Sequence, residues 1–326
     1  MVSCTACLRL GVRSLVLAAA LMQSAQAERI YKVGGFAPVS KEGFARRADF
    51  REAMRELGYV EGRNVVYVSS SAGADRHRLA QAADELVALK PDVLIAWGSD
   101  AATLHKKTRS IPIVLTGGFD PVGAGVAQSL QRPGKNVTGV TQLNTDLPAK
   151  HIELLAEILP EAKRVGMLFD THASGCALVE RSARSAAQRL GWALVTYKVG
   201  GRAEIERAFA QMQTDRLDAL LPCPSAVLYN HRAFLFSEGL RLRIPWTSFI
   251  VANLPNGVLF AYSSSRKDEY RKAAIYVDRI LRGEKPADLP IEQPSRFYLV
   301  INMKTAKALE IVVPQSMLLR ADQVIE

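Results

Sequence analysis

The chain has 326 residues, of which 48% are hydrophobic and 23% charged, with a formal net charge of +10. That apolar content excludes an intrinsically disordered chain, and the length admits two domains of ordinary size. Four cysteines in so long a chain exclude a disulfide-built scaffold.

At the start, Arg9 and Arg13 precede the apolar run 15–22, which is followed by the small-x-small triplet Ala25-Gln26-Ala27. This order of charge, apolar run and small residues predicts a cleavable secretory signal over 1–27. Eight apolar residues are too few for a bilayer span, which needs roughly 20. Cys4 and Cys7 lie before the run, so no lipid attachment is expected. The mature protein is expected in the periplasm. Removing the leader takes away two arginines and no acid, lowering the charge from +10 to +8. The remaining cations, such as Arg46, Arg47, Arg51 and Arg55, alternate with acids and read as solvated helix faces, with no nucleic-acid partner expected.

Beyond the leader, strands are predicted at 30–36, 64–69, 93–97, 113–116 and 137–140. The helices between them show apolar faces built from Phe50, Met54 and Leu57, then Leu79, Ala82, Leu86 and Leu89. A second series places strands at 164–169, 193–199, 219–221, 244–246 and 258–261. A helix carrying Tyr270, Ala274, Val277 and Leu281 follows, then a strand at 297–301 and two short helices. Strictly alternating strands and helices predict an α/β chain with a mostly parallel sheet in each half.

The two series repeat one another. A helix runs into Glu56-Leu57-Gly58-Tyr59 in the first and into Arg189-Leu190-Gly191-Trp192 in the second. Asp92-Val93-Leu94-Ile95 corresponds to Asp218-Ala219-Leu220-Leu221, and Ile111-Pro112-Ile113 to Ile244-Pro245-Trp246. Self-similarity over about a hundred residues marks a duplicated α/β unit. The expected division is lobe 1 over 28–140 plus 262–285 and lobe 2 over 141–261 plus 286–326. Short crossings are expected at 141–147, 262–266 and 285–294.

In open α/β sheets ligands gather beyond the carboxyl ends of the strands. The candidate ligand-binding residues are therefore Gly35, Phe36, Trp97, Gly98, Ser99, Phe119 and Asp120 in lobe 1. In lobe 2 they are Thr171, Ser174, Ser225, Phe249 and Tyr262. The aromatics offer a sandwich for an apolar or aromatic body. Ser99 and Ser174 at helix starts read either as N-caps or as ligand donors. Asp120 before Pro121 receives a ligand ammonium or closes its own turn, the turn being the simpler reading. His172, Cys176 and Cys223 form an incomplete metal or thiol set; a Cys176–Cys223 disulfide or chance proximity accounts for them more simply. No GxSxG, GxxxxGK[ST], HExxH or complete GxGxxG pattern occurs, so no enzyme, metal or cofactor is expected.

Several blocks carry a family resemblance. Glu56-Leu57-Gly58-Tyr59-Val60-Glu61-Gly62-Arg63-Asn64 is similar to the opening of bacterial ABC-transporter substrate-binding proteins of the tryptophan/tyrosine-binding type. Asp120-Pro121-Val122-Gly123, Arg132-Pro133-Gly134, Asn136-Val137-Thr138-Gly139 and Gly283-Glu284-Lys285-Pro286 resemble it in order, as does the closing stretch 300–309. The resemblance implies a periplasmic-binding-protein fold of type I: two Rossmann-like lobes, three crossovers and a ligand in the cleft. It further implies a monomeric receptor that captures a small organic ligand, such as an aromatic amino acid or aromatic carboxylate, and delivers it to an ABC permease in the inner membrane. A sensory input protein presenting the same liganded shape is the alternative. The family carries Thr-Pro where this chain has Ser99-Asp100, and a ligand carboxylate is repelled by Asp100. The anion is therefore expected in lobe 2, near Thr171 and Ser174. Exported material should have the intact mass of residues 28–326; a lipid adduct or a retained leader refutes the processing.

Overall fold

The computed structural model describes residues 29–37, 48–72, 78–118, 120–142, 146–173 and 175–326. The leader, Phe119 and Ser174 lie outside the described residues. The first series comprises β1 (Tyr31–Ala37), α1 (Ala48–Glu56), β2 (Val65–Ser71), α2 (Leu79–Ala88), β3 (Val93–Trp97), α3 (Asp100–Lys107), β4 (Ile113–Thr116) and β5 (Val137–Val140). The second comprises α4 (Leu147–Ile158), β6 (Arg164–Asp170), α5 (Cys176–Arg189), β7 (Ala193–Val199), α6 (Arg202–Asp215) and β8 (Ala219–Pro222). It continues with α7 (Ala226–Asn230), α8 (Arg232–Arg241), β9 (Thr247–Ser248) and β10 (Phe260–Ser263). The chain closes with α9 (Arg266–Leu281), β11 (Ile291–Glu292), β12 (Tyr298–Asn302), α10 (Met303–Ala308), α11 (Gln315–Arg320) and β13 (Gln323–Ile325).

The first sheet has the order β11-β5-β4-β3-β1-β2, with every pairing parallel. The second is built from β7-β6-β8 and β9-β10-β12-β13. A bridge between Leu220 and Trp246 joins these two parts; β12 runs antiparallel to β10, and β13 lies parallel to β12. The predicted strand at 244–246 begins later, at Thr247, because Pro245 has no N–H to give a ladder. Its carbonyl still accepts from the Leu220 amide at 2.9 Å.

Each sheet buries both faces, so its strands are apolar at consecutive positions rather than alternately. Val33, Val93, Ile95 and Val114 pack on α1 and α9, while Phe36, Leu94, Ala96 and Leu115 pack on α2 and α3. In the second sheet, Val165, Met167 and Leu221 face α4 and α5, and Leu168, Val199 and Leu220 face α6 and α8. The result is two three-layer α/β lobes.

The duplication extends to individual hydrogen bonds. The Asp92 carboxylate accepts from the Lys32 amide at 2.7 Å, pinning the start of β1 beside β3. In the second copy Asp218 accepts from the Lys163 and Arg164 amides at 2.7 and 2.8 Å, pinning β6 beside β8. Both helix closures use a left-handed glycine, Gly58 at φ +93° and Gly191 at φ +72°. The next residue returns its amide to a carbonyl five positions back, Tyr59 to Met54 and Trp192 to Ala187. That backbone reversal needs the glycine, and the aromatic that follows is driven into the core.

The chain crosses between lobes after β5, after β10 and after β11. The last crossing lies further along than the expected division at 285. Residues 286–292 belong to the first sheet, because Ile291 and Glu292 pair with Gly139 and Val140. The Thr138 hydroxyl also donates to the Leu289 carbonyl at 2.8 Å. Replacing Gly191 with alanine places a Cβ in open space but at a positive φ. Gly191→Ala should therefore cost about 1 kcal/mol in denaturant unfolding with no loss of fold, and an unchanged midpoint refutes the assigned role.

Candidate functional site

The strands of both sheets end towards a common cleft. A narrow pocket there is walled by Gly118 after β4, Gln142 after β5, Pro148 on α4, Gly175 before α5, Pro224 after β8 and Phe249 after β9. Each wall follows a strand or opens a helix, the position where parallel α/β sheets expose backbone amides and helix N-termini. A second small pocket lies within lobe 2, between the loop after β8, helices α7 and α8, and the turn after β9. The two share Pro224 and Phe249 as walls.

Trp97 ends β3 and brings lobe 1 to lobe 2, its ring 6.4 Å from that of Tyr229 and tilted by 48°. It lies flat against Gly117, where a Cβ would stand 2.3 Å from the indole nitrogen. Only glycine leaves room for that ring. Gly98, at φ +59°, turns the chain out of β3 while its amide donates to Thr116 at 2.7 Å. Ser99 precedes α3 with helical backbone angles and makes no side-chain cap bond.

Other sequence candidates are placed elsewhere. Phe36 is fully buried in the core between the first sheet and α2, because β1 continues to Ala37 and turns that ring to the helix layer. Gly35 lies mid-strand, paired with Ser69 and Ile95. Neither reaches the cleft. Tyr262 stacks on Phe297 at 5.7 Å and lines a separate surface hollow with Lys150, Glu153 and Arg189. Thr171 is exposed, its hydroxyl 3.4 Å from the Val199 carbonyl at the end of β7. Asp120 accepts from the Gly123 amide at 2.8 Å and so closes its own turn. Ser225 caps α7 by accepting from the Leu228 amide at 3.2 Å, and it lines the lobe 2 pocket. Phe249 is the candidate that walls both cavities.

Two buried polar centres hold these walls. His151, on α4, is fully buried with its ring 4.1 Å from Phe249. Its Nε2–H donates to the Tyr262 carbonyl at 2.8 Å, which leaves Nδ1 to accept the Thr247 hydroxyl. Burial away from water pushes its pKa down to about 3, so the ring is neutral and fixed in one tautomer. The second centre is Glu269, in the first turn of α9. It accepts from the Ser264 hydroxyl at 2.5 Å and from the Gln142 side-chain amide. Burial raises its pKa against the opposing effect of those two hydrogen bonds. Gln142 and Ser264 lie on the first and second crossings, so the carboxyl ties both to lobe 1. Neither Gln142 nor His151 carries a sequence signal; each is recognisable only once the crossings are seen side by side.

Cys176 and Cys223 form a disulfide that ties the start of α5 to the loop after β8. Both sulfurs of the candidate metal or thiol set are thereby occupied. Among the described residues no group of three or more His, Cys, Asp or Glu side chains is placed to hold a metal ion. Among the same residues no helix is long and apolar enough to cross a membrane.

A family profile described as ABC transporter substrate binding protein matches residues 32–325. The chain is 24% identical over 263 residues to a tyrosine-binding protein of Clostridioides difficile (strain R20291), covering 80% of this chain and 75% of that one. It is similar to the crystal structure of an ABC domain in complex with L-Trp from Streptococcus pneumonia. That match has a TM-score of 0.84 and 25% identity, over 91% of this chain and 100% of the other. A conserved domain protein from Vibrio cholerae O1 biovar eltor str. N16961 matches with a TM-score of 0.84 and 26% identity, over 91% and 100% of the chains.

The neutral state of His151 makes stability pH-dependent. In the unfolded chain this histidine takes up a proton below its ordinary value of 6.5, whereas the folded site resists until about 3. Stability should therefore fall as pH drops from 6.5 towards 3, at up to about 1.4 kcal/mol per pH unit from this group. The slope difference between wild type and His151→Gln in urea unfolding reads it. Equal slopes overturn the assignment.

Proposed function

Because the chain belongs to the ABC transporter substrate-binding protein family, we propose that it is exported to the periplasm. There it closes around a small aromatic or apolar solute bearing a polar end and hands it to an ABC permease of the inner membrane. The observation that carries this reading is the interlobe cavity, to which lobe 1, lobe 2 and the first crossing all contribute walls. A ligand touching both lobes binds the closed arrangement better than the open one, and that difference in affinity is all that hinge closure requires.

The aromatic preference rests on the walls. Phe249 and Tyr229 line the cleft and the adjoining pocket, with Trp97 lying against Tyr229, and aromatic faces pack well against a flat ligand. The relatives named for tyrosine and crystallised with L-Trp favour the same ligand class. Capture needs no bond making, and the site residues serve shape and hydrogen bonding. Of the residues expected from sequence, the proposed ligand contacts are Trp97, Gly98, Ser99, Ser225 and Phe249.

Purified mature protein should be stabilised by L-tryptophan, L-tyrosine or an aromatic carboxylate, by roughly 2.7 kcal/mol at 100 times the Kd. Small-angle scattering should show a smaller radius of gyration with ligand bound. Trp97→Ala should weaken binding at least tenfold in isothermal titration, while Arg51→Ala leaves it unchanged. A sugar as the best ligand, or unaltered affinity in Trp97→Ala, defeats the reading.

A further inference from the structure

The lobe 2 pocket has apolar walls, among them Leu228, Leu235, Phe236, Trp246 and Val258, and Arg232 is the charged side chain that lines it. Arg232 opens α8 and its guanidinium lies 4.3 Å from the centre of the Tyr229 ring. Tyr229 in turn meets Trp97 across the cleft. Other arginines are matched by acids, among them Arg202 by Glu206 and Arg241 by Glu238. Among the described residues, no carboxylate lies within ion-pair distance of Arg232. Its one hydrogen bond there runs from Nη1 to the Tyr229 carbonyl at 2.9 Å.

A guanidinium has five N–H donors in a planar fork, so most of them remain for a ligand. Of the polar groups around it, Trp246 Nε1 is buried without a hydrogen-bond partner among the described residues, and two hydroxyls already accept. Ser225 caps α7, and the Ser248 hydroxyl accepts from the Ile250 amide and the Asn253 side chain. A cation held against apolar and aromatic surface, where water screens poorly, gains most from an anion entering the same space.

We propose that Arg232 is the anion-recognition residue of this binding site, and that the solute is an aromatic monocarboxylate or amino acid whose carboxylate it holds in the lobe 2 pocket. This rests on the solute-receptor reading above and deepens it. A single cation among apolar walls balances one negative charge, and a phosphate dianion would bring a second with no partner. The assignment also moves the carboxylate away from Thr171, whose hydroxyl is directed at Val199.

Isothermal titration of wild type with benzoate and indole-3-acetate, each against its neutral carboxamide, and with L-tryptophan against N-acetyl-L-tryptophan and its neutral carboxamide, tests the assignment. Wild type should prefer the best carboxylate over its amide by about tenfold or more, the scale of a charge-assisted hydrogen bond. In Arg232→Gln that preference should collapse towards unity while amide binding stays within about threefold, which shows that the pocket is intact. Arg232→Lys, retaining the charge without the fork, should recover part of it. A preference that survives in Arg232→Gln overturns the role of Arg232, with the receptor reading intact. Equal binding of acids and amides by wild type overturns the ligand class, as does failure of every probe. In that last case, mass spectrometry of any molecule released from protein purified from the periplasm judges the receptor reading separately.

Discussion

The buried Glu269 carboxyl is the constraint on which the two-lobe arrangement depends. It sits at the first turn of α9, a helix packed on lobe 1, and accepts hydrogen bonds from Gln142 and Ser264 on the two crossings that lead into and out of lobe 2. A buried carboxyl that loses its partners bears the full cost of desolvation. The crossings are therefore held together and in register. Because Gln142 also walls the cleft, the crossings and the candidate site share a residue, so a ligand bound as proposed would act directly on the crossings.

The two lobes contribute unequally. Lobe 2 presents a braced surface: the disulfide joins the start of α5 to the loop after β8, and His151 holds Phe249, β9 and β10 from behind. By the chain-entropy model, a bridge spanning 47 residues contributes about 4 kcal/mol. Lobe 1 presents tight glycine turns, Gly98 and Gly117, that bring Trp97 up to the cleft. Rigid walls lose little conformational entropy when a ligand arrives, so more of the contact energy remains for closure.

The duplication accounts for much of this economy. The same aspartate bond at a strand start and the same glycine at a helix end occur in both copies, so both lobes present strand ends of one geometry to one cleft. Divergence lies in the loops. Where lobe 1 has α3 between β3 and β4, lobe 2 has α7 and α8 between β8 and β9, and with them the pocket that carries Arg232.

The alternation of strands and helices, the repeat and the family-like blocks were legible in the residues, because hydrophobic periodicity, aspartate strand starts and glycine helix stops are local signals. Trp97, Gly98 and Phe249 could be placed at strand ends for the same reason: Trp97 closes β3, and Gly98 and Phe249 each follow directly on a strand. What residues alone could not decide was which ring faces where. Phe36 and Phe249 both read as strand-end aromatics, yet one fills the core and the other walls two cavities. The difference lies in how far β1 continues and in which helix covers that face. Residues 286–292 likewise join the first sheet through partners some 150 positions earlier. Periodicity within a segment determined its local structure; sheet order, crossing points and the pairing of Arg232 with an open pocket arose only when distant segments packed, because those contacts have no local signature.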